Sequence, residues 1–506
     1  MISSFFCGMT DLPRICLTVT GETPEELLEN ALQAGSLSRF VELRLDYLEQ
    51  PQEGPAVVRA VRRKGIQVIA TLRGAAAGGK YQGSAEEQLD LLSAAGKAGA
   101  TLVDLELEAA EHLGLAAVRK LRKAGAVMLS FHDYRETPRN PGVVLNRLKS
   151  FPADYYKLVT LAARHQDNAA MLDLMRKEKG KLVAFTMGEI GQPTRILCLV
   201  AGSPFTYAAP PAGGVDGLGQ IPWDQMIGLY RANRIGPRTK VYGVVGNPVA
   251  HSLSPAVHNA AFSHVRRDAV YLAFCAEDFK DFRAALGAYR LSGVSVTMPH
   301  KKAAASAVAW KDELATRAGA VNTMVLRGGK WQGYNTDMLG ILGPLEQRTK
   351  VRGARVLVAG AGGVARAAAL ALADAGASVT VVARRIKQAA DLAEQAGGHA
   401  LDLDDLNGQK FDIIVHATPL GMSPNTEECF FTPQQLHTRL LLETVYTPLE
   451  TRLVKLARGR RIKVILGLEM FIEQAAAQFR LWTGRNAPRD VMEQAARAAL
   501  FAASEL

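Results

Sequence analysis

Lys157 and His132, in the N-terminal half of the chain, are residue types that together can act on a ketone. The segment DYYKLVT places the Lys157 amine in an apolar strand, where we expect desolvation to lower its pKa and leave a neutral nucleophile for a carbonyl carbon. His132 ends an earlier strand, and an imidazole titrates close to neutral pH, so it can move protons beside an imine. The pair indicates Schiff-base chemistry, although a lysine near a histidine is a weak signal by itself.

A glycine loop in the C-terminal half has the spacing of a dinucleotide site. The segment GAGGVAR follows the strand-like run ARVLVAG and precedes an alanine-rich helical run. Gly360 allows the tight turn from strand to helix, and Gly362 lets a pyrophosphate approach the backbone N–H groups at the helix N-terminus. The predicted cofactor loop comprises Gly360, Ala361, Gly362, Gly363, Val364 and Ala365.

Two arginines decide which dinucleotide is expected. The next strand-like run, SVTVVAR, ends where NAD-binding proteins usually carry an acidic residue for the ribose 2′-hydroxyl. Arg384 and Arg385 stand there instead, and guanidinium groups suit a 2′-phosphate. NADP is therefore the predicted cofactor, and a solvated basic strand end is the alternative interpretation.

Lys301 and Asp337 are candidates for proton transfer in the same half. The segment SVTMPHK places Lys301 just after a strand, and YNTD places Asp337 at the end of a hairpin. A lysine and a carboxylate that meet across a cleft suit a carbonyl-to-alcohol step, whereas as surface charges they are ordinary. In HSLSP, Ser252 and Ser254 lie near a predicted helix start, where capping accounts for one of them.

The strands of a (β/α)8 barrel are the elements expected to position Lys157 and His132. Eight short β-rich runs alternate with helical segments from Arg14 to about Pro210, which is typical of that fold. Chemistry in such a barrel lies at the C-terminal strand ends, where residues two apart share a face. The polar residues with that placement are Glu42, Arg44, Asp46, Arg73, Asp104, Glu106, His132 and Lys157. For Asp46 and Glu106, a structural ion-pair network is an equal alternative.

The strand pattern breaks after the barrel, so the chain is predicted to contain further domains. A helical stretch from Gln225 to Asn233 leads to a new strand beginning at Val241. The predicted fold class is α/β, with an N-terminal TIM barrel followed by a two-domain α/β part that includes a Rossmann-like domain. The predicted boundaries are 10–220 for the barrel, 221–239 for the connecting helix and linker, 240–340 completed by helices in 470–506 for a catalytic α/β domain, and 341–469 for the Rossmann-like domain.

Composition excludes several classes of protein. No apolar run reaches the roughly 20 residues of a membrane span, and the N-terminus lacks the pattern of a secretory signal, so a cytoplasmic enzyme without membrane contact is expected. The net charge of +11 is dispersed, which suits small anionic substrates at least as well as nucleic acid. Five scattered cysteines lack metal-ligand spacing, so we expect reduced thiols and no metal site. No obligatory protein partner is evident.

The N-terminal motifs resemble type I 3-dehydroquinate dehydratase across about residues 13–220. The motifs are ELRLD, TLR, DLE, SFHDY, YYKLVT, MGEIGQPTR and a Gly-Gln pair. The resemblance implies that Lys157 forms an imine with the substrate ketone and that His132 abstracts the C2 proton and assists loss of the C1 hydroxyl. The substrate-binding residues implied by it are Glu42, Arg44, Arg73, Arg195 and Gln220.

Two loops depart from the pattern of that family. Ala77 stands where the family usually has a glutamate before a Gly-Gly pair, and Asp216-Gly217-Leu218 replaces small residues and proline before the Gly-Gln pair. The first departure affects the tuning of His132, and the second affects closure of the barrel mouth.

The C-terminal motifs resemble shikimate dehydrogenase from residue 240 to the end. The motifs are HSLSP, SVTMPHK, GAVNT, YNTD, GAGGVARA, ATPLGM, VYTPLET and GLEMFIEQA. The resemblance implies Lys301 and Asp337 as the catalytic pair, and Thr418 and Met422 along the nicotinamide side. The residues implied to hold shikimate are Ser252, Ser254, Thr297, Asn322, Asp337 and Gln474. Ser295 replaces a frequent asparagine, and a serine still donates a hydrogen bond but reaches less far.

Together the halves resemble the bifunctional dehydroquinate dehydratase/shikimate dehydrogenase family of aromatic amino-acid biosynthesis. That family would dehydrate 3-dehydroquinate and reduce the resulting 3-dehydroshikimate to shikimate with NADPH. Three alternatives remain at this point: a catabolic quinate or shikimate oxidoreductase using NAD, a sensor of these ligands without turnover, and a chain with an impaired barrel. Arg384 and Arg385 argue against the first, and the presence of Lys157, His132 and Lys301 argues against the second.

Overall fold

The computed structural model describes residues 12–178, 180–211, 214 and 219–504. The chain forms two compact units. The first runs to Val241 and takes in two later segments, Asp268–Val270 and Phe274–Arg290, and the second contains the remaining residues. No helix within these described ranges is long and apolar enough to cross a membrane.

The first unit contains the predicted (β/α)8 barrel, which is confirmed. Its parallel strands pair in chain order from the first to the seventh, and the first also pairs with the eighth. The strands are β1 (Ile15–Val19), β2 (Phe40–Arg44), β3 (Gln67–Thr71), β4 (Leu102–Glu106), β5 (Val127–Asp133), β6 (Tyr155–Leu161), β7 (Leu182–Met187) and β8 (Thr206–Ala208). Within the part of the chain that the structure describes, no ladder joins β7 to β8, so the barrel is nearly closed.

Helices follow the first seven strands of the barrel, as alternation predicts. They are α1 (Pro24–Leu37), α2 (Gly54–Arg63), α3 (Ala85–Lys97), α4 (Leu107–Ala124), α5 (Pro141–Lys149), α6 (His165–Lys177), α7 (Gly188–Gly191) and α8 (Thr194–Ala201). Inside the barrel, Phe40 and Phe205 pack edge to face with ring centroids 5.0 Å apart. Because Phe40 begins β2 and Arg44 ends it, the apolar layer lies toward the N-terminal strand ends and the polar layer toward the C-terminal ends.

The helical stretch expected from Gln225 to Asn233 is not one continuous helix. A π-helix covers Gln225–Leu229, and a separate 3₁₀ turn covers Ala232–Arg234. Arg231 between them has a φ of 51°, in the left-handed region that ends a right-handed helix. The sequence prediction of a single helix is therefore wrong at this point.

A six-stranded mixed sheet follows the barrel. Its order is β10-β9-β11-β13-β14-β12, and β13 and β14 form the antiparallel hairpin that precedes Asp337. The strands are β9 (Lys240–Gly246), β10 (Ala269–Cys275), β11 (Leu291–Val296), β12 (Trp310–Lys311), β13 (Thr323–Arg327) and β14 (Lys330–Tyr334). The helices are α9 (Ser254–His264), α10 (Phe279–Tyr289), α11 (Lys301–Ala307) and α12 (Glu313–Ala318).

The last sheet is parallel and has the strand order of a Rossmann fold. Its strands are β15 (Arg355–Ala359), β16 (Ser378–Val382), β17 (His399–Leu401), β18 (Ile413–His416), β19 (Leu440–Glu443) and β20 (Lys463–Ile465). The order is β17-β16-β15-β18-β19-β20, so the direction of winding reverses between β15 and β18, where ligands of such folds bind.

Six helices accompany this sheet and the C-terminus. They are α13 (Asp337–Glu346), α14 (Gly363–Asp374), α15 (Ile386–Gln395), α16 (Arg452–Gly459), α17 (Gly467–Thr483) and α18 (Arg489–Ser504). Helix α17 returns to the mixed sheet, where Trp482 donates to the carbonyl of Met324 at 3.1 Å and Gln478 donates to the hydroxyl of Thr323 at 3.0 Å.

Candidate active sites

Lys157 lies in a buried polar cluster inside the barrel. Its Nζ is 3.3 Å from Glu42 Oε1, 3.5 Å from Asp104 Oδ2 and 4.2 Å from the centre of the Tyr207 ring. The amine is buried, and its surroundings combine these carboxylates with an aromatic ring. Its own strand is apolar, but the neighbouring strands β2 and β4 direct carboxylates toward the same interior, which a single-strand pattern does not reveal.

Glu42 is the carboxylate with the most partners in this cluster. Its oxygens accept hydrogen bonds from Thr18 at 3.0 Å and from Thr71 at 2.9 Å, besides the contact with Lys157. Burial raises the pKa of Glu42, but the positive charges of Lys157 and two arginines, together with the Thr71 hydrogen bond, lower it overall to about 2. The group is therefore ionised at neutral pH.

Arg73 connects His132 to two carboxylates. Its guanidinium nitrogens lie 2.7 Å from His132 Nδ1, 2.9 Å from Asp104 Oδ2 and 3.8 Å from Glu106 Oε1. A guanidinium can only donate, so Nδ1 is the acceptor and a neutral His132 carries its proton on Nε2. Burial and the nearby positive charges, chiefly Arg73 and Lys157, hold the pKa of His132 well below its usual range.

Of the remaining predicted barrel residues, Arg44 ends β2, Gln220 contacts a neighbour of Glu42, and Arg195 lies in α8 with its guanidinium 4.8 Å from the centre of the Phe185 ring. Arg44 forms a two-point ion pair with Asp46, at 2.9 and 2.8 Å. Arg195 is buried, and burial lowers its pKa to about 10. Gln220 Nε2 lies 3.5 Å from the Thr18 hydroxyl that also contacts Glu42.

The loop at Ala77, one of the two that depart from the family pattern, follows β3. Ala77 ends a 3₁₀ turn, Ala75–Ala77, and Gly78 follows it with a φ of 78°. A Cβ on Gly78 would lie 2.5 Å from the Tyr134 ring, which stacks on His132 with centroids 6.2 Å apart. The loop at Ala77 is thus close to the histidine. Asp216-Gly217-Leu218 lies outside the described residues.

A second group of predicted residues surrounds one cavity of about 540 Å³ in the second unit. Its lining includes seven residues from the substrate list and the catalytic pair, namely Ser252, Ser254, Thr297, Lys301, Asn322, Asp337 and Gln474. Four residues of the glycine loop line the same cavity, namely Ala361, Gly362, Gly363 and Val364. The structure thus brings the predicted substrate residues and the predicted cofactor loop together.

Lys301 and Asp337 are in direct contact in this cavity. Lys301 begins α11 and Asp337 begins α13, and Lys301 Nζ lies 2.5 Å from Asp337 Oδ2. Asn322 donates to the other carboxylate oxygen of Asp337 at 2.8 Å and to the Thr336 hydroxyl at 3.0 Å. Asp337 is buried while Lys301 is partly exposed toward the cavity. The lysine is therefore oriented for an oxygen atom of a bound ligand.

Ser295 is hydrogen-bonded to two neighbouring side chains. Its hydroxyl contacts the Tyr271 hydroxyl at 2.6 Å and donates to Gln478 at 2.9 Å. Ser252 Oγ accepts from the backbone N–H of Ser254 at 3.3 Å, but the N-cap residue of α9 is Leu253 and neither serine caps the helix through its side chain.

The glycine loop fits a dinucleotide. Gly360 has a φ of 120°, and a Cβ there would lie 2.5 Å from the carbonyl oxygen of Ala417, so only glycine fits. Gly362 and Gly363 begin α14, and a Cβ on either would meet no atom within 4 Å. Free backbone N–H groups at a helix N-terminus facing open space suit a pyrophosphate. Ala365 is fully buried in the core behind the loop.

Family models match both halves of the chain. The model for type I 3-dehydroquinase matches residues 15–237. Models for the shikimate dehydrogenase substrate binding domain, for shikimate/quinate 5-dehydrogenase and for the shikimate 5'-dehydrogenase C-terminal domain match residues 244–324, 345–425 and 467–497.

A relative from Arabidopsis thaliana resembles both halves at once. This chloroplastic bifunctional 3-dehydroquinate dehydratase/shikimate dehydrogenase is 33% identical over 503 residues, which covers 95% of this chain and 83% of the relative. The chain belongs to that bifunctional family.

Other relatives resemble only the second half. The NADP(+) shikimate dehydrogenase of Methanosarcina acetivorans is 42% identical over 278 residues, which covers 52% of this chain and 99% of the relative. A Thermus thermophilus shikimate 5-dehydrogenase structure with NADP(H) and shikimate is 35% identical over 52% of this chain and all of that chain, with a TM-score of 0.49.

Several residues assigned to the cofactor lie outside the cavity lining of this bifunctional chain. Arg384 and Arg385 are exposed between β16 and α15, and Met422 is 42% exposed. Thr418 follows β18 and contacts His416. These positions lie along the strand ends of the nucleotide sheet, not within the cavity around Lys301.

Sequence reasoning missed some residues of both sites. Tyr207 and Asp104 contact the Lys157 amine, yet neither received a role. In the second cavity, the additional lining residues are Val244, Ser295, Val296, Met298, Pro299, Lys302, Ala318, Ala320, Arg366, Thr444, Tyr446, Gly467, Met470, Phe471 and Gln478. The motifs VYTPLET and GLEMFIEQA contain some of them. In GLEMFIEQA, the helical spacing of Gly467, Phe471 and Gln474 could have predicted that these residues share one face of α17.

Proposed function

We propose that the chain dehydrates 3-dehydroquinate to 3-dehydroshikimate in the barrel and reduces 3-dehydroshikimate to shikimate with NADPH in the second unit. The observation that carries the proposal is the pairing of two sites in one chain of this family. One site connects the buried Lys157 to His132 through Asp104 and Arg73, and the other presents Lys301 and Asp337 in the same cavity as a dinucleotide loop.

In the barrel, Lys157 is the proposed nucleophile. Its amine adds to the substrate ketone, and loss of water gives an iminium that acidifies the adjacent C2–H bond. Removal of that proton gives an enamine, which expels the C1 hydroxyl as water, and hydrolysis of the imine then releases the product and the free amine. Glu42 and Asp104 stabilise the positive charge of the iminium because both carboxylates lie within 3.5 Å of Nζ.

His132 is the proposed proton carrier of the dehydration. The lowered pKa keeps its ring neutral, as a base requires, but Nδ1 accepts from Arg73 at 2.7 Å. The ring can take up the C2 proton at Nδ1 only when this contact opens. The substrate carboxylate is a competing partner for a guanidinium, so substrate binding itself favours the opening. Arg44, Arg195 and Gln220 are the other proposed substrate ligands.

In the second site, NADPH held by the glycine loop would supply the hydride for reduction of the ketone carbon. Lys301 donates a proton or a hydrogen bond to the carbonyl oxygen as it becomes the alcohol, and Asp337 holds the lysine at 2.5 Å. Asn322 fixes the Asp337 carboxylate through its second oxygen. The proposed ligands for the hydroxyl and carboxylate groups of shikimate are Ser252, Ser254, Thr297 and Gln474, all of which line the cavity.

The proposed cofactor ligands are the glycine loop for the pyrophosphate and Arg384 and Arg385 for the 2′-phosphate. Both arginines are exposed and follow the strand next to the glycine loop, which supports this assignment. We propose the predicted domain boundaries, small-molecule partners alone and a cytoplasmic location. Four free thiols, Cys16, Cys198, Cys275 and Cys429, support a reducing compartment.

Borohydride trapping tests the barrel mechanism. Incubation with 3-dehydroquinate and sodium borohydride should reduce the iminium and leave a stable adduct, located at Lys157 by peptide mass mapping. Dehydration without an adduct, or an adduct on another lysine, would contradict the assignment.

Substitution of Asp337 by asparagine tests the reductase site. The change removes the charge that holds Lys301, so oxidation of NADPH by 3-dehydroshikimate should fall about 100-fold or more, the range of general acid–base contributions. Dehydration of 3-dehydroquinate by the same preparation is the control and should not change. Equal reductase rates in both proteins would remove Asp337 from the mechanism.

A further inference from the structure

A hydrogen-bond network of His416, Glu443 and Thr418 lies at the C-terminal ends of two neighbouring strands of the nucleotide sheet. His416 ends β18 and Glu443 ends β19, and both side chains are completely buried. His416 Nδ1 lies 2.8 Å from Glu443 Oε1, and His416 Nε2 lies 2.5 Å from the hydroxyl of Thr418. The network thus runs from a strand end to the loop that follows it.

The donor and acceptor roles in this network follow from its partners. Glu443 accepts from the backbone N–H of Val445 at 3.0 Å and from the Thr451 hydroxyl at 2.9 Å. A carboxylate bound by these donors is an acceptor for His416 Nδ1–H as well. In the tautomer that carries its proton on Nδ1, Nε2 is an acceptor and the Thr418 hydroxyl donates to it.

This loop borders the glycine loop at the place where the sheet reverses its winding. β15 and β18 are neighbours in the sheet, and the carbonyl oxygen of Ala417 is the atom that a Cβ on Gly360 would meet at 2.5 Å. The methyl group of Thr418 is the next neighbour, at 3.3 Å from that Cβ position. Ligands of such sheets bind in this crevice. A shift of the Thr418 loop therefore alters the cofactor crevice directly.

We propose that His416 is a positioning residue for the cofactor crevice beside the glycine loop. It acts through Thr418: the buried Glu443–His416 pair fixes the Thr418 rotamer and hence the loop that contacts Gly360. This inference rests on the proposed function, since it takes the crevice as the NADPH site. It assigns His416 and Glu443 no direct contact with substrate or cofactor.

Two substitutions at one position separate positioning from general stability. The amide of asparagine in His416→Asn reaches the position of Nδ1 and keeps the bond to Glu443, but it leaves Thr418 without its acceptor. In His416→Gln, the longer side chain places an amide oxygen near the position of Nε2 and restores that acceptor. We expect kcat for 3-dehydroshikimate reduction to fall about tenfold in His416→Asn, equivalent to one hydrogen bond of about 1.4 kcal/mol, and to recover largely in His416→Gln. The KM for 3-dehydroshikimate should stay unchanged because Lys301 and Asp337 are untouched.

A double-mutant cycle with Thr418→Val completes the test. It also tests the His416–Thr418 hydrogen bond from its other side if His416→Asn proves unstable. Thr418→Val removes the other partner of the same bond, so it should lower kcat to a similar extent, and the double variant His416→Asn/Thr418→Val should be no slower than either single variant. Additive losses, an unchanged kcat in both single variants, or a loss that His416→Gln does not rescue would overturn the positioning role. If the wild-type chain fails to oxidise NADPH with 3-dehydroshikimate, the proposed function fails instead.

Discussion

At the scale of single residues, both sites combine a lysine with carboxylates but use it differently. Lys157 is almost fully buried between Glu42 and Asp104, whereas Lys301 is partly exposed beside Asp337. A buried amine suits covalent chemistry in a site that excludes water, and a lysine at a cavity wall suits proton donation to a ligand that enters and leaves. The sequence predicts Asp337 as the partner of Lys301 and places Glu42 and Asp104 at the same strand ends as Lys157, but the individual contacts of Lys157 depend on how the barrel strands pack.

Replacement of Lys157 by arginine tests the need for an amine separately from the need for a charge. Arginine keeps the positive charge that Glu42 and Asp104 face, but its guanidinium does not form an imine with a ketone. We expect Lys157→Arg to abolish dehydration of 3-dehydroquinate and borohydride trapping, while NADPH oxidation by 3-dehydroshikimate continues at the wild-type rate. Substantial dehydration in this variant would exclude the covalent mechanism.

A glutamate restored at Ala77 should change the pH dependence of the barrel. The pKa of His132 is lowered by burial and by Arg73 and Lys157, so in the wild-type chain the neutral base persists to low pH. A carboxylate at the neighbouring loop opposes these charges and raises the pKa of His132. The acidic limb of the dehydratase kcat profile of Ala77→Glu should therefore lie at higher pH than in the wild type.

The matched control for this prediction is Ala76→Glu, because Ala76 is exposed in the same 3₁₀ turn. It adds the same charge next to Ala77 but directs it to solvent, where screening weakens its effect. Coincident profiles for the wild type and both variants would show that the loop at Ala77 does not act on His132.

At the scale of elements, the sequence predicts strands and their ends better than the connections between them. Seven strand–helix repeats and the βα turn at Gly360 follow from local periodicity and glycine placement, and the structure has them. The stretch from Gln225 breaks into a π-helix and a 3₁₀ turn because Arg231 adopts a left-handed conformation, which no residue pattern indicates. The hydrogen bond from Arg73 to His132 could not be predicted either, because it joins strand ends that are far apart in the sequence.

Two glycines of the same turn should respond differently to substitution by alanine. Gly360→Ala forces a Cβ against Ala417 at a φ of 120°, so we expect a loss of about 1–3 kcal/mol in the free energy of unfolding of the nucleotide sheet. Gly362→Ala meets no protein atom, so the unfolding temperature should stay close to that of the wild type while NADPH binding weakens. Thermal unfolding measures the loss of stability, and fluorescence titration with NADPH measures the loss of binding. If Gly362→Ala still binds NADPH tightly, the pyrophosphate site does not lie at this turn.

At the scale of the whole molecule, two unrelated α/β folds in one chain carry chemically consecutive steps. The barrel half forms the ketone 3-dehydroshikimate, and the second half consumes a ketone of that kind with NADPH. Family membership across 95% of the chain supports both activities together, whereas either set of motifs alone would support one. Substitutions in one half leave the other as an internal control, because the two active sites are built from different sheets.

The most direct test of the two consecutive activities is NADPH oxidation by the purified chain with 3-dehydroquinate as the sole carbon substrate. The proposed function predicts a decrease in absorbance at the NADPH band with formation of shikimate, and its loss in Lys157→Arg, where added 3-dehydroshikimate restores it. Failure of the wild-type chain to oxidise NADPH with 3-dehydroquinate, while 3-dehydroshikimate supports oxidation, would show that the barrel is inactive and contradict the bifunctional proposal.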